Sequence, residues 1–288
     1  MLTNAYSADL PSKKEPMVAS TPVMTWTGFY LGLNAGGTIG NNNGLNGSTW
    51  NLWQPPGNVD AVSAVLLSGS NSGSGNAGFI GGGQTGYNWQ VMKSFVTGFE
   101  VDIQGLTGSS ALGSKWTSTA YDAGPFYNPG SITSNQSGNA SLSYIGTVRG
   151  RLGYLVMPEF LLYGTGGLAY GGVSASAQNT QFWQDNAGVW NVVNGSQSIS
   201  NTQVGWTAGG GLEWMFLPNW SAKAEYLYYD LGRVQTNVIN TSYSLVPSDP
   251  SGLQSSTTYT GRVSGNIIRA GINYHLSFSN PLPIVAKF

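Results

Sequence analysis

From residue 26 onward the chain alternates apolar with small or polar residues in segments of strand length. Eight such segments stand out, near 26–40, 76–90, 94–108, 141–155, 159–176, 200–216, 219–236 and 261–278. Each exceeds the roughly 9–11 residues a tilted strand needs to cross a bilayer. The connections alternate in length. Those after the second, fourth and sixth segments are a few residues long. The others, 41–75, 109–140, 177–199 and 237–260, are long and rich in Gly, Ser, Asn and Thr. Aromatic residues flank each tight turn: Trp89 and Phe95 around 90–94, Tyr154 and Phe160 around Met157-Pro158-Glu159, and Trp214, Phe216 and Trp220 around Leu217-Pro218-Asn219. Tyr274 and Phe278 extend this aromatic set to the end of the last segment. A membrane–water interface selects such a girdle, because the ring is apolar while its N–H or O–H seeks water. The pattern predicts an all-β fold: an eight-stranded antiparallel transmembrane β-barrel with four long external loops and short periplasmic turns. A soluble β-sandwich or a secreted repeat fold is the alternative.

Side-chain phase sharpens this reading, since alternate residues of a barrel strand face lipid and lumen. In the third segment Phe95, Thr97, Phe99, Val101 and Ile103 share one face, and Glu100, Asp102 and Gln104 the other. In the fourth, Val148, Leu152 and Tyr154 oppose Thr147, Arg149 and Arg151. In the sixth, Leu212, Trp214 and Phe216 oppose Glu213, and in the seventh Trp220, Ala222, Ala224, Tyr226 and Tyr228 oppose Lys223 and Glu225. In the last, Ile268, Ala270, Ile272, Tyr274 and Leu276 oppose Arg269, Asn273 and His275. The expected lumen network is therefore Glu100, Asp102, Glu213 and Glu225 with Arg149, Arg151, Lys223 and Arg269. Unpaired charges in a narrow interior would each cost several kcal/mol, so four acids against four bases is the balance expected. Eight strands enclose a space that side chains can fill, which favours a polar core over a conducting pore.

Composition supports a chain outside water. Charged residues make up 8% of the 288, and 42 are glycine. A charge-poor surface of this kind is insoluble unless lipid solvates it. No run approaches the roughly 20 apolar residues of a spanning helix, which leaves a closed sheet as the way to cross. A net charge of −1 lacks the basic excess of nucleic-acid binding. The absence of cysteine excludes disulfides and thiolate metal sites. Small residues before Asp9 resemble the end of a secretory signal, so the chain is expected to start inside or just after a leader. Residues 9–24, with Pro11, Pro16, Pro22 and Lys13-Lys14-Glu15, read as a solvated linker. The organisation expected is signal remnant and periplasmic linker over 1–25, barrel over 26–278 and a tail over 279–288.

The segment Trp26-Thr27-Gly28-Phe29-Tyr30-Leu31-Gly32-Leu33-Asn34-Ala35-Gly36-Gly37, following Ala8-Asp9-Leu10-Pro11-Ser12-Lys13-Lys14, resembles the first strand of a known family. It is the alphaproteobacterial outer-membrane immunogenic protein group, within the porin-like outer-membrane β-barrel family. Ile268-Arg269-Ala270-Gly271-Ile272-Asn273-Tyr274-His275-Leu276 and the terminal Val285-Ala286-Lys287-Phe288 are similar to that group as well. The resemblance is specific at both ends and diffuse between them. It implies an abundant, surface-exposed eight-stranded barrel of the cell outer membrane, with no assigned enzymatic site. The first loop departs from the pattern in its size, and Ala61-Val62-Ser63-Ala64-Val65-Leu66-Leu67 within it has the composition of an additional strand.

Candidate chemistry changes this picture little. Gly81-Gly82-Gly83-Gln84-Thr85-Gly86 contains G-x-G-x-x-G, but Tyr87-Asn88-Trp89 continues a strand where a dinucleotide site needs a helix. The glycines are expected to make room for aromatic neighbours. The single histidine, His275, sits at the periplasmic end without an evident Ser and carboxylate in register, so a hydrolase or acyltransferase is disfavoured. Glu100 and Asp102 read as a salt-bridge ladder with Arg149 and Arg151 before they read as acid–base catalysts. The Asn-x-Ser/Thr triplets at Asn46, Asn135, Asn139, Asn194 and Asn240 are expected by chance in so Asn-, Ser- and Thr-rich a chain. Trp50, Trp53, Trp116, Trp183 and Trp190 in the loops are expected to pack together, a host-surface or small-molecule ligand there being the second reading. The functional expectation is a non-enzymatic outer-membrane protein serving envelope integrity and surface exposure, without cofactor, metal or nucleic acid. Its partners are outer-membrane lipid and, during insertion, the barrel-assembly machinery. The alternative is a small-solute porin, or a protein whose loops bind a ligand such as haem.

Overall fold

The computed structural model describes residues 25–41, 46–53, 77–107, 110–121, 130–184, 190–243 and 254–276. The strands are β1 (Gly28–Gly40), β2 (Asn46–Trp53), β3 (Ala77–Gln90), β4 (Phe95–Thr107) and β5 (Ser110–Tyr121). They continue with β6 (Gly130–Met157), β7 (Phe160–Gln184), β8 (Trp190–Leu217), β9 (Trp220–Tyr243) and β10 (Gln254–Leu276). Among the described residues β1, β3, β4, β6, β7, β8, β9 and β10 follow one another in a single antiparallel sheet, and β1 pairs with β10 to close it. Closure leaves no strand edge in the lipid, where an unpaired N–H or C=O would cost several kcal/mol. Each tight turn is also stitched to the next strand of the ring: Ser94 O accepts Leu155 N–H at 2.8 Å, Glu159 O accepts Met215 N–H at 2.9 Å, and Asn219 O accepts His275 N–H at 2.8 Å.

The strands outrun the segments read from apolar alternation. β6 begins at Gly130, β7 runs to Gln184 and β8 starts at Trp190, so much of the stretches 109–140 and 177–199 is paired strand rather than loop. At about 3.3 Å per residue, the 25 residues of β7 tilted near 45° rise well over the ~25 Å height of an apolar barrel band. Beyond the membrane the lipid-facing side turns polar, as in Ser174, Ser176, Gln178 and Thr180 of β7. Its inward side remains small and apolar, as in Val173, Ala175 and Ala177. Strand pairing therefore outlasts the apolar signal that marks it in the sequence. Two further strands arise the same way: β2 adds to the outer part of β10, and β5 to that of β6. The extra strand of the first long connection is thus 46–53, while Ala61–Leu67 lies outside the described residues.

The outer mouth does not remain a tube. Trp206 of β8 pairs with Asp230 of β9, the two strands then part, and they rejoin only where Asn194 meets Thr241. Over this interval β9 leans inward toward β7, where a Cβ on Gly171 would meet Leu231 Cδ1 at 3.0 Å. Leu231 and Val234 of β9 and Val263 of β10 join Ile80, Ile145, Val173, Leu227 and Ile267 in one buried apolar cluster. Above it Ala177, Val238 and Tyr259 form a second. Alanine and valine facing one another let two walls of the sheet approach closely, so the outer end of the lumen closes as a packed double layer.

Candidate functional site

Alternation aims Glu100 and Asp102 of β4, Arg149 and Arg151 of β6, Glu213 of β8, Lys223 and Glu225 of β9, and Arg269 of β10 at the barrel axis. All eight side chains are buried. They form one connected layer. Arg149 binds Glu100, reaches Asp102 at 2.9 Å and crosses to Glu225 at 3.0 Å. Lys223 lies 2.9 Å from Glu100, and Arg269 Nη2 lies 2.9 Å from Asp102 and 2.5 Å from Glu225. Arg151 turns to Glu213 at 2.6 Å and stays 3.8 Å from Glu100, with its guanidinium 4.1 Å from the centre of the Tyr163 ring. The ladder expected between adjacent strands is therefore a web that crosses the lumen. Hydroxyls fill remaining acceptor positions: Tyr30 donates to Glu100 at 2.7 Å, Thr147 to Asp102 at 2.8 Å and Tyr163 to Glu225 at 3.0 Å. Paired charges this dense are tolerable in a low-dielectric interior only with such near-complete bonding.

At the periplasmic mouth Trp26 folds across the opening. It is buried with Val96, Leu155, Leu161, Tyr163 and Met215, and its indole N–H donates to Pro158 O at 3.0 Å. Pro158 belongs to the turn joining β6 and β7, across the ring from β1. Beneath the indole lies an arrangement the sequence did not disclose. Ser221 Oγ donates to Glu213 Oε1 at 2.6 Å and sits 2.9 Å from His275 Nε2, with Glu213 Oε1 3.6 Å from the same nitrogen. A Ser and a carboxylate do accompany His275, contrary to the expectation. They come from neighbouring strands whose register fixes the match, Ser221 with Asn273 on one side and Met215 on the other. The serine gives its proton to the acid, so its oxygen is left to accept from His275. In a hydrolytic triad the histidine would accept from the serine, and the acid would bind the opposite ring nitrogen.

The G-x-G-x-x-G run of β3 faces the lumen at alternate positions. Gly86 makes room for Tyr30, whose ring carbon Cζ lies 2.6 Å from where a Cβ would stand, and Gly82 lies against the β4 backbone. The outward aromatics Trp89, Phe95, Tyr154, Phe160, Trp214, Phe216, Trp220 and Tyr274 are all exposed on the outer wall at the short-turn end. Phe278 lies outside the described residues, as do the side chains of Trp50, Trp53, Trp116, Trp183 and Trp190. A second aromatic level was missed in the sequence: Phe79, Tyr144, Tyr170, Trp206 and Tyr228 mark the other membrane face, with Trp206 and Tyr228 rings 5.3 Å apart. Only strand register aligns these residues, which lie at unequal distances from the turns.

A closed antiparallel ring with an apolar outer band, aromatic levels and a charged interior defines an integral β-barrel of the bacterial outer membrane. The chain belongs to the outer membrane protein beta-barrel domain family, whose model matches residues 17–246. It is similar to the 31 kDa outer-membrane immunogenic protein of Brucella melitensis, at 34% identity over 286 residues that cover 94% of this chain and 93% of that protein. The 22 kDa outer membrane protein of Rhizobium leguminosarum is 29% identical over 211 residues, covering 73% of this chain and 66% of its own. Among solved structures, outer membrane protein OprG from Pseudomonas aeruginosa aligns with 88% of this chain and 100% of its own, at 10% identity and a TM-score of 0.38.

Proposed function

We propose that this protein is a non-enzymatic, non-conducting barrel that reinforces the outer membrane and presents its outer strands and loops at the cell surface. The observation that carries the reading is the lumen. It is stopped by Trp26 and its apolar neighbours at the periplasmic end, crossed by the ion-paired layer in the middle, and packed with apolar side chains at the outer end. Such an interior leaves no continuous aqueous path, which argues against the solute-porin alternative. It also buries the Ser221–His275 pair, which argues against hydrolysis. Surface exposure accords with the immunogenic character in the name of the Brucella relative. Delivery is assigned to the barrel-assembly machinery, which would act on the chain before it meets outer-membrane lipid.

Planar-bilayer recording tests the reading. The unmodified protein should give no steady large conductance, and the double variant Arg149→Ala, Arg151→Ala should also stay low, since Trp26 and the outer apolar packing still close both ends of the lumen. Porin-sized steps from the unmodified chain would refute the sealed barrel.

A further inference from the structure

Four of the chain's 11 basic residues lie in the lumen network; two others meet on the outer wall. Arg233 of β9 and Arg262 of β10 are direct cross-strand partners, both exposed and directed outward. Like charges placed opposite one another on a sheet repel, so the pair calls for an anion. Among the described residues one carboxylate is available. Asp230 accepts the Gly232 N–H at 2.9 Å on one oxygen, and on the other it accepts Arg262 Nε at 3.0 Å and Arg262 Nη2. These bonds engage Asp230 with Arg262 and leave one positive charge uncompensated among the described residues. Arg262 Nη1 and the whole Arg233 guanidinium have no hydrogen-bond partner among the described residues.

The height of the pair on the barrel identifies the anion. The aromatic level of Trp206 and Tyr228 adjoins Asp230. On the same wall Tyr226 donates its O–H to Asn266 at 2.7 Å, and Asn266 donates to Asn41 at 3.0 Å, a polar line across β9, β10 and β1. Toward the periplasm the wall is apolar, with Ile268 and Ile272 exposed. The arginines therefore stand just outside the outer aromatic level, where lipid headgroups begin. Guanidinium forks match phosphate in shape and charge, and two forks on adjacent strands can share one. We propose that Arg233 and Arg262 form a binding site for the phosphate of an outer-leaflet lipid. The bulge at Gly232, whose φ is +82°, turns Arg233 to the same outer face as Arg262 and so builds the site.

The test uses the full chain refolded in phosphatidylcholine nanodiscs containing lipopolysaccharide, with retained lipid counted by native mass spectrometry. Arg233→Gln should reduce retention about fivefold, the effect of one basic residue at an anionic surface. Arg233→Lys should recover part of it, and lipopolysaccharide stripped of its phosphates should be retained as poorly by the unmodified chain as intact lipid is by Arg233→Gln. The Arg233 guanidinium bonds no described residue, so the variant keeps the barrel, as heat-modifiable gel migration will register. Unchanged retention in Arg233→Gln would overturn the site. Inorganic phosphate supplies the second arm: saturable binding of it in plain phosphatidylcholine discs, as tight as that of the lipid, would assign the site to a soluble anion and overturn the lipid.

Discussion

Arg149 touches three carboxylates from three directions, and that concentration makes it the most sensitive single residue of the interior. Arg149→Ala strands Glu100, Asp102 and Glu225 with too few cations, and removing one member of a buried ion-pair set costs about 3–5 kcal/mol. Urea unfolding in lipid vesicles should register that loss. Arg149→Lys should restore only part of it, because an ammonium cannot span three acceptors as a guanidinium fork does. A loss near zero for Arg149→Ala would mean that water already replaces its bonds. Trp26 is the corresponding residue at the mouth. Trp26→Ala should cost roughly 3–5 kcal/mol, as for other buried large-to-small changes. It should also expose His275 to ethoxycarbonylation by diethyl pyrocarbonate in nanodiscs, while the unmodified chain should react slowly. Conductance of Trp26→Ala alone should stay low, because the charge layer still blocks the lumen.

At the scale of elements, β9 decides the shape of the outer end. Opposite Ser264 and Arg262 it carries a bulge, and Gly232 adopts a φ of +82° that a β-branched residue does not reach without strain. Gly232→Val should lower stability by about 1–3 kcal/mol through backbone strain. Hydrogen exchange should speed up at the amides of Leu231, Gly232 and Arg233 before the rest of the barrel opens. Equal protection in the variant and the parent would show that the bulge is not a strained point. The bulge also marks where β9 leaves β8. In the sequence it shows only as Asp230-Leu231-Gly232 inside an alternating run, with nothing to say that the neighbouring strand parts there.

Across the whole molecule, the tight turns and both described ends of the ring lie at one face, and the long connections at the other. An even-stranded barrel inserts with its short turns periplasmic. Protease added to intact cells should therefore cut within 41–75, 109–140, 177–199 and 237–260, and spare 90–94, 156–159 and 217–219. Because β7 pairs with β8 up to Gln184 and Trp190, cutting in the third region should concentrate between those residues rather than spread over 177–199. Protection of all four regions until lysis would show an inverted or periplasmic chain.

The two-residue period determined a great deal unaided: which side of five of the membrane strands meets lipid and which eight charges turn inward, while composition left a closed sheet as the way to cross. A barrel wall is one layer thick, so position in the alternation alone assigns Glu100 to one side and Phe99 to the other. Whatever required strands to be compared with one another was settled by tertiary structure. Arg151 meets Glu213 rather than Asp102, Ser221 stands beside His275, and Trp26 reaches the far turn at Pro158 because the sheet curls and its register staggers. The strands beyond the membrane were hidden for another reason. In water a strand needs no apolar outer face, so Gln178 and Thr180 carry the composition of a loop while their backbone pairs as sheet.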